Sequence, residues 1–417
     1  MSLVRKLLRS KLVQNGMWML ILQLFNTILP ILTIPYITRV LSQADYGQFA
    51  IASSWITYFQ VVVEYGFALT GAKKAAMRKS DDELSDIRNS IMSARLFLFA
   101  ICFVFALIML IFVPAAKSLK VCFVILFTMV FSLVFQHNWF FQGIMEMRTL
   151  SIISVCSRLF TTILVFVFVD DTSDIYLYCL ITASGTILTS IIGCVVANAK
   201  HSLKFRIRGI ANIFVELKDG WALFVSSAIG SVFGSVGITI LGILASNADV
   251  AVYSAINKIS YIIIILFSAV SQTLYPRSCK AFTKSFEYAV KDIKRIAVPV
   301  IGLFGLLLFV ICLFNRTIVK IAFGREYVQH SFLVLPFAMW NLLGIINNFL
   351  GIQILVASGH KKEYSNSFVL SIIVMILLMF VFGYYWKSFG VSIALVCSEF
   401  LLTFILIYRI SIIRSKC

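Results

Sequence analysis

Twelve apolar runs follow one another through this 417-residue chain, with only short charged segments between them. They fall at roughly 15–38, 46–70, 91–113, 119–143, 149–169, 175–199, 220–244, 250–275, 296–314, 331–356, 364–385 and 389–408. At about 1.5 Å per residue, each is long enough to cross the ~30 Å of hydrocarbon in a bilayer. The pattern predicts an all-α polytopic membrane protein with twelve transmembrane helices. Composition agrees: 60% of the residues are hydrophobic and 13% charged, which no soluble domain could present as a surface. The first run follows Arg5, Lys6, Arg9 and Lys11. It is too long for a signal peptide and lacks a small-residue cleavage site, so it is expected to stay as the first span.

Orientation follows from the basic residues. With the N-terminus in the cytoplasm, the inside segments hold 26 Lys and Arg and the outside loops seven. That bias predicts a multi-pass protein with both termini inside. It also accounts for the net charge of +18 without a solvated basic domain, so nucleic acid is excluded as a partner. Nine Cys, mostly inside apolar runs and without CxxC spacing, read as small buried hydrophobes. Four dispersed His give no metal spacing, and no Walker-type loop or Ser/His/Asp grouping is present. Enzyme chemistry therefore has no signature here, and no cofactor is expected.

The chain carries a weak internal repeat. Ile243-Leu244-Ala245-Ser246-Asn247-Ala248-Asp249 leads to Tyr253, as Val40-Leu41-Ser42-Gln43-Ala44-Asp45 leads to Phe49, 204 positions earlier. Two related halves, each containing a helix hairpin, predict two six-helix lobes around a central cavity, as in a transporter. The domains are expected at 1–200 for the first lobe, 201–219 for an amphipathic cytoplasmic linker and 220–417 for the second lobe. In the linker, Ile210, Ile213, Phe214 and Leu217 share helical spacing. Ser80 to Glu83 has capping-box spacing and predicts a helix running into the third span.

Five ionisable residues lie inside the runs: Glu64, Arg95, Arg158, Lys258 and Glu399. Charge at bilayer depth is costly, so each requires a reason. Arg95 lies near a cytoplasmic end, where its long side chain can snorkel to the interface. Arg158, Lys258 and Glu399 admit two readings, an ion pair within one lobe or a place in a cationic, water-filled cavity. Lys258 favours the second, because its helix follows the small-residue helix with Ser227, Gly230, Ser231, Gly234 and Ser235. The spacing Gly230-x-x-x-Gly234 itself reads first as close helix packing. Span one holds Asn26, Pro30 and Pro35, which read equally as a bending element or a static kink. Asn341, Gly344, Asn348 and Gly351, with Gln353 nearby, form a stripe expected to face protein or water.

The chain resembles the bacterial polysaccharide flippases, the O-antigen (Wzx-type) members of the multidrug/oligosaccharidyl-lipid/polysaccharide exporter superfamily. The likeness covers nearly the whole length. It rests on Asn26 to Pro30, Pro35, Arg39-Val40-Leu41, Tyr46-Gly47 and Glu64-Tyr65-Gly66-Phe67. It continues in Trp139-Phe140-Phe141-Gln142-Gly143 with Glu146 and Arg158, then Tyr253 with Lys258 and Tyr275-Pro276-Arg277. Phe323-Gly324-Arg325-Glu326-Tyr327 and Gly351 through Gly359 complete it. The resemblance implies alternating access in the bacterial inner membrane. Its cargo would be an undecaprenyl-pyrophosphate-linked oligosaccharide, moved to the periplasmic leaflet and driven by H+, Na+ or the membrane potential. It implies an O-antigen polymerase and a chain-length regulator as partners.

On this reading the substrate site comprises Lys258, Arg158 and Arg277, with Glu64, Arg95 and Glu399 as further candidates, and Asn26, Pro30 and Pro35 serve the conformational change. The rivals are a cation-coupled multidrug exporter of the same fold, which needs deep acidic residues, and a membrane-embedded glycan polymerase or ligase, which needs a large periplasmic loop. A scaffold in the glycan-assembly complex is the third.

Overall fold

A computed structural model describes residues 11–201 and 206–415, and among them there are helices and no strands. The basic residues Arg5, Lys6 and Arg9 lie outside the described residues. The first helices are α1 (Lys11–Val40), α2 (Gln43–Glu64), α3 (Phe67–Ala76), α4 (Asp81–Phe112) and α5 (Lys117–Ser132). A short α6 (Asn138–Gly143) leads to α7 (Met147–Phe168), α8 (Ile175–His201) and α9 (Ile210–Leu244). Then come α10 (Asn247–Phe282), α11 (Phe286–Leu313), α12 (Asn315–Phe323) and α13 (Val334–Asn348), which continues as a π-helical turn over Phe349–Val356. The last is α14 (Lys361–Arg414). Among the described residues, nine helices are long and apolar enough to cross a membrane.

The hairpin repeat has a structural counterpart. Ser246 caps α10 by accepting from the Asp249 amide, while the Asp249 side chain accepts from the Ser246 amide. Ser42 caps α2 in the same way, accepting from the Asp45 amide. Each cap satisfies donors that the first helical turn leaves orphaned. Ser80 likewise caps α4, and the helix runs into the apolar stretch as its spacing predicts.

Several expected spans are interrupted or merged. The run expected over 46–70 breaks where Tyr65 (φ 47°) and Gly66 (φ 79°) adopt left-handed backbone. Gly66 does so without a Cβ penalty, and an added Cβ there would meet the Leu223 Cβ at 2.7 Å. The Tyr65 ring lies flat on Phe224, with centroids 4.5 Å apart and planes 10° apart, and this contact holds the turn. The run over 119–143 breaks at a 3-10 turn, Leu133–Phe135. Conversely, the eleventh and twelfth runs share α14, which is interrupted at Lys387 (φ 49°, ψ −129°).

The Trp139-Phe140-Phe141-Gln142-Gly143 motif is a packing element. All three aromatic side chains are buried, and a Cβ on Gly143 would meet the Ala72 carbonyl at 2.6 Å, so α6 and α3 approach at backbone distance. Gly230 and Gly234 differ from the expected packing role. A Cβ added at either would meet nothing within 4 Å. The close approach is made instead by Gly237, over which the Tyr253 ring sits. The eight described Cys are free thiols, three of them buried.

The chain divides into two compact units, Met1–Ser235 and Val236–Cys417. The boundary falls inside α9, which the expected domain limits divide at residue 220 between the linker and the second lobe. The expected linker helix is the first part of α9, continuous with the apolar part. It is held in the first unit by Lys74, whose ammonium meets Glu216 at 2.8 Å and Asp219 at 2.9 Å. Burial opposes charge on Lys74, but these two carboxylates outweigh it and raise its pKa. Arg208 pairs with Asp86, and its backbone amide donates to Ser93.

Gly66→Ala is expected to lower stability by about 1–3 kcal/mol through overpacking and backbone strain. Gly302→Ala, at a helical position open to space, should be neutral or stabilising by up to about 1 kcal/mol. Thermal unfolding of the two purified variants, followed by loss of monodisperse protein, checks the ordering.

Candidate functional site

The structure sorts the charged candidates by what holds them. Arg95 does not snorkel; it is 1% exposed and turned inward. Its guanidinium meets the Glu64 carboxylate at 2.6 Å and donates to the carbonyls of Leu133 and Gln136 at 3.0 and 2.7 Å. Glu64 is the last residue of α2 before the left-handed turn, and Leu133 and Gln136 flank the break after α5. Arg95 therefore ties both helix breaks of the first unit to α4. About two turns earlier on α4, Arg88 is equally buried. It donates from Nε to His137 Nε2 at 2.9 Å, and His137 Nδ1 lies 2.6 Å from the Phe135 carbonyl. Sequence reasoning missed this pair because Arg88 falls in a charged cytoplasmic segment, where a solvated side chain is the default.

Arg277 is also committed. It makes a two-pronged pair with Asp292 on α11, at 3.0 and 3.2 Å. Glu399 is 7% exposed in the second unit and is held by a neutral partner. The Asn347 amide donates to its Oε2 at 2.6 Å. The stripe expected on α13 does face protein. Asn348 accepts from the Ser271 hydroxyl at 2.7 Å, Gln353 donates to the same Ser271 and accepts from Ser278, and Gly351 lies under the Tyr364 ring.

Two cations remain. Lys258 is exposed, and among the described residues its ammonium has no hydrogen-bond or ion-pair partner. Asp249, the acidic residue of its own helix, is taken by Lys387 at 3.5 Å. At 100° per residue, α10 has two contrasting sides. Ile256, Ser260, Ile263, Phe267, Ser271 and Ser278 form the buried stripe. Lys258, Tyr261, Gln272 and Thr273 lie on the opposite side, all exposed. A side carrying an ammonium, a phenol, an amide and a hydroxyl is costly against lipid tails and suits water or a polar ligand.

In the first unit, Arg158 is exposed on α7 and also has no partner among the described residues. Helices α1 and α7 run side by side in the same direction. Asn15 donates to the Met145 carbonyl, Ser151 to that of Trp18, and Tyr36 to that of Val169. This register puts Arg158 about level with Asn26. There the Asn26 Oδ1 is buried without a partner, and Pro30, lacking an N–H, leaves the Asn26 carbonyl free of its helical bond. The helix nevertheless continues through both Pro30 and Pro35. The structure thus brings Asn26 level with Arg158, with Pro30 one turn further along α1.

Glu64→Gln would leave a buried guanidinium without its counter-charge. It should cost on the order of 3 kcal/mol, read as early aggregation of the purified protein on heating. Arg158→Gln should leave thermal stability within about 0.5 kcal/mol of the native value, as for an exposed, unpaired residue.

A family profile described as "Polysaccharide biosynthesis protein" matches residues 12–282. A protein of Escherichia coli (strain K12), named as a candidate O-antigen transporter, is 27% identical over 394 residues, covering 94% of each chain. One of Shigella dysenteriae with the same name is 26% identical over 380 residues, covering 90% of this chain and 94% of the relative. Among solved structures, the inward closed conformation of the lipid II flippase MurJ superposes with a TM-score of 0.69 at 14% identity, over 94% of this chain and 87% of that one. The inward-facing conformation of a multidrug resistance MATE family transporter of the MOP superfamily gives 0.57 at 13% identity, over 93% and 99%. At these identities the superpositions speak for the fold alone.

Proposed function

Since the chain belongs to the polysaccharide biosynthesis protein family, we propose that it is a flippase for a lipid-linked oligosaccharide with an anionic anchor. The observation that carries this reading is the sign of the uncommitted charges. Of the five ionisable residues inside the runs, three are bound within their own unit, and the two left exposed and without a partner among the described residues, Arg158 and Lys258, are both cations. A pyrophosphate carries the complementary charge. Undecaprenyl pyrophosphate fits, with its polar group on Lys258 and its sugars along Tyr261, Gln272 and Thr273. A phenol one turn from a cation, followed by amide and hydroxyl groups, is suited to a phosphate bearing saccharides.

The relatives' name supports the same reading, and the two superposed transporters share the fold it requires. Taking α14 as two passes broken at Lys387, and adding α2 and α9, brings the helices to the expected twelve, with both termini in the cytoplasm. An ion gradient or the membrane potential supplies the driving force. The exporter of cationic drugs is disfavoured by the same observation, because the deep acidic group of the first unit, Glu64, is already neutralised by Arg95. Pro30 and Pro35 each remove a helical hydrogen bond from α1, the first of them at the Asn26 carbonyl about level with Arg158, which suits a bending element.

Lys258→Ala should reduce surface glycan in a flippase-null strain by at least about tenfold, the equivalent of one lost charge-assisted contact. Lys258→Arg should retain most of it, and Lys258→Glu none. Full restoration by an Ala variant present at normal level in the membrane would remove Lys258 from the mechanism.

A further inference from the structure

The second unit contains a carboxyl group with no counter-charge. Glu399 sits in the second half of α14, 7% exposed. The Asn347 amide donates to its Oε2 at 2.6 Å and to its backbone carbonyl at 2.9 Å. The Thr403 hydroxyl lies within reach of both the Asn347 Oδ1 and the Glu399 carbonyl, at 2.8 Å each. Beyond these, α13 brings the Trp340 indole and the first half of α14 brings the Tyr364 phenol.

The charged groups of the other elements packed against α14 lie elsewhere. Asp249 of α10 is at the far end, against Lys387 and Ser388, and Lys258 points away on the exposed side of α10. The segment Arg325–Leu333 meets α14 through Phe332 on Phe389, about three turns from Glu399. Among the described residues, no basic side chain pairs with this carboxyl.

An ionised carboxylate is costly in such a place. The Asn347 amide and the Trp340 indole replace only part of the hydration of a full charge, and taking a proton removes that cost. The same contacts lead to the helix that carries Lys258. Asn347 is followed by Asn348, which accepts from Ser271 on α10. Ser271 in turn binds Gln353 within the π-helical turn, and Gln353 binds Ser278 one helical stretch further along α10. A π-turn inserted in a transmembrane helix is costly and is found frequently at functional sites.

We propose that Glu399 is a proton-binding site, and that its loading with H+ sets the packing of α13 and its π-turn against α10, the helix that presents Lys258. Loading is the reaction of the carboxylate with a proton from water, and unloading is its reverse. When Glu399 ionises, the neutral donors Asn347 and Trp340 do not fully offset the buried charge, so α13 and α14 part or admit water. Asn347 and Asn348 pass that movement to α10. The biological part of this inference rests on the flippase reading above; the proton site itself does not.

Two measurements test it. Infrared difference spectra of the protein in phosphatidylethanolamine–phosphatidylglycerol liposomes, recorded across the neutral pH range, should show a protonated-carboxyl stretch. E399Q should abolish that band. N347L, which removes the donor and keeps the acid, should shift it towards the frequency of an unbonded carboxyl. A band unchanged in E399Q, or absent from the wild type, overturns the proposal.

In a flippase-null strain, surface glycan made by the wild type should vary with external pH. E399Q should give a level that no longer does, with membrane abundance unchanged. Export by E399Q that tracks pH as the wild type does overturns the coupling. If E399Q does not accumulate, E399D carries the same test, with a pH dependence displaced from that of the wild type as the expected result and an unchanged one as the contrary result. Failure of the wild type to restore glycan at all would overturn the flippase reading and leave the infrared result standing.

Discussion

Charge in a medium without water is the constraint on which this structure turns. Hydrocarbon offers no hydrogen bonds, so each ionised side chain placed in it must be neutralised by another, lose its charge or face water. The protein uses all three solutions. Arg95 and Glu64 neutralise each other and anchor two helix breaks. Glu399 is enclosed with an amide and no cation. Lys258 and Arg158 stay exposed and have no partner among the described residues. The function proposed here follows from that division of roles, because charges consumed in building the units are unavailable to a substrate, and the two that are not consumed have the same sign.

The helix breaks belong to the same account. A transmembrane helix satisfies its own backbone, so each interruption exposes groups that need partners within the protein. At Tyr65 and Gly66 the interruption is covered by α9, through Phe224 and Leu223. At the turn after α5 the carbonyls of Leu133 and Gln136 are taken by Arg95. Irregular backbone in the first unit is therefore located where a buried arginine or a stacked ring can serve it. The Trp139–Gly143 motif fills the gap between α6 and α3. The motif is thus a matter of packing, while Arg158 further along has no partner among the described residues.

Much of this was legible in the chain. Hydrophobic periods gave the helices, and Ser80-x-x-Glu83 gave the start of one of them, because a cap is satisfied by residues three apart. The stripe of Asn341, Asn348 and Gln353 was recognisably turned towards protein or water because no such stripe can face lipid; the structure shows Asn348 and Gln353 bonded to α10. Other features were not legible. Gly230-x-x-x-Gly234 looked like a packing motif, yet the close approach occurs at Gly237, since spacing alone does not say which side of a helix meets a neighbour. Arg88 looked solvated, because nothing local reveals that His137, 49 positions away, lies beside it.

What the sequence alone determined is the solvent, the secondary structure and the list of intramembrane charges. These depend on composition and on short-range periods, which act within a few turns of helix. What only the tertiary structure decided is the fate of each charge. Whether Lys258 is spent on an acid, or Glu399 on a base, depends on partners far away in sequence. At bilayer depth an interaction with one distant side chain outweighs every local preference, because water is not there to soften it.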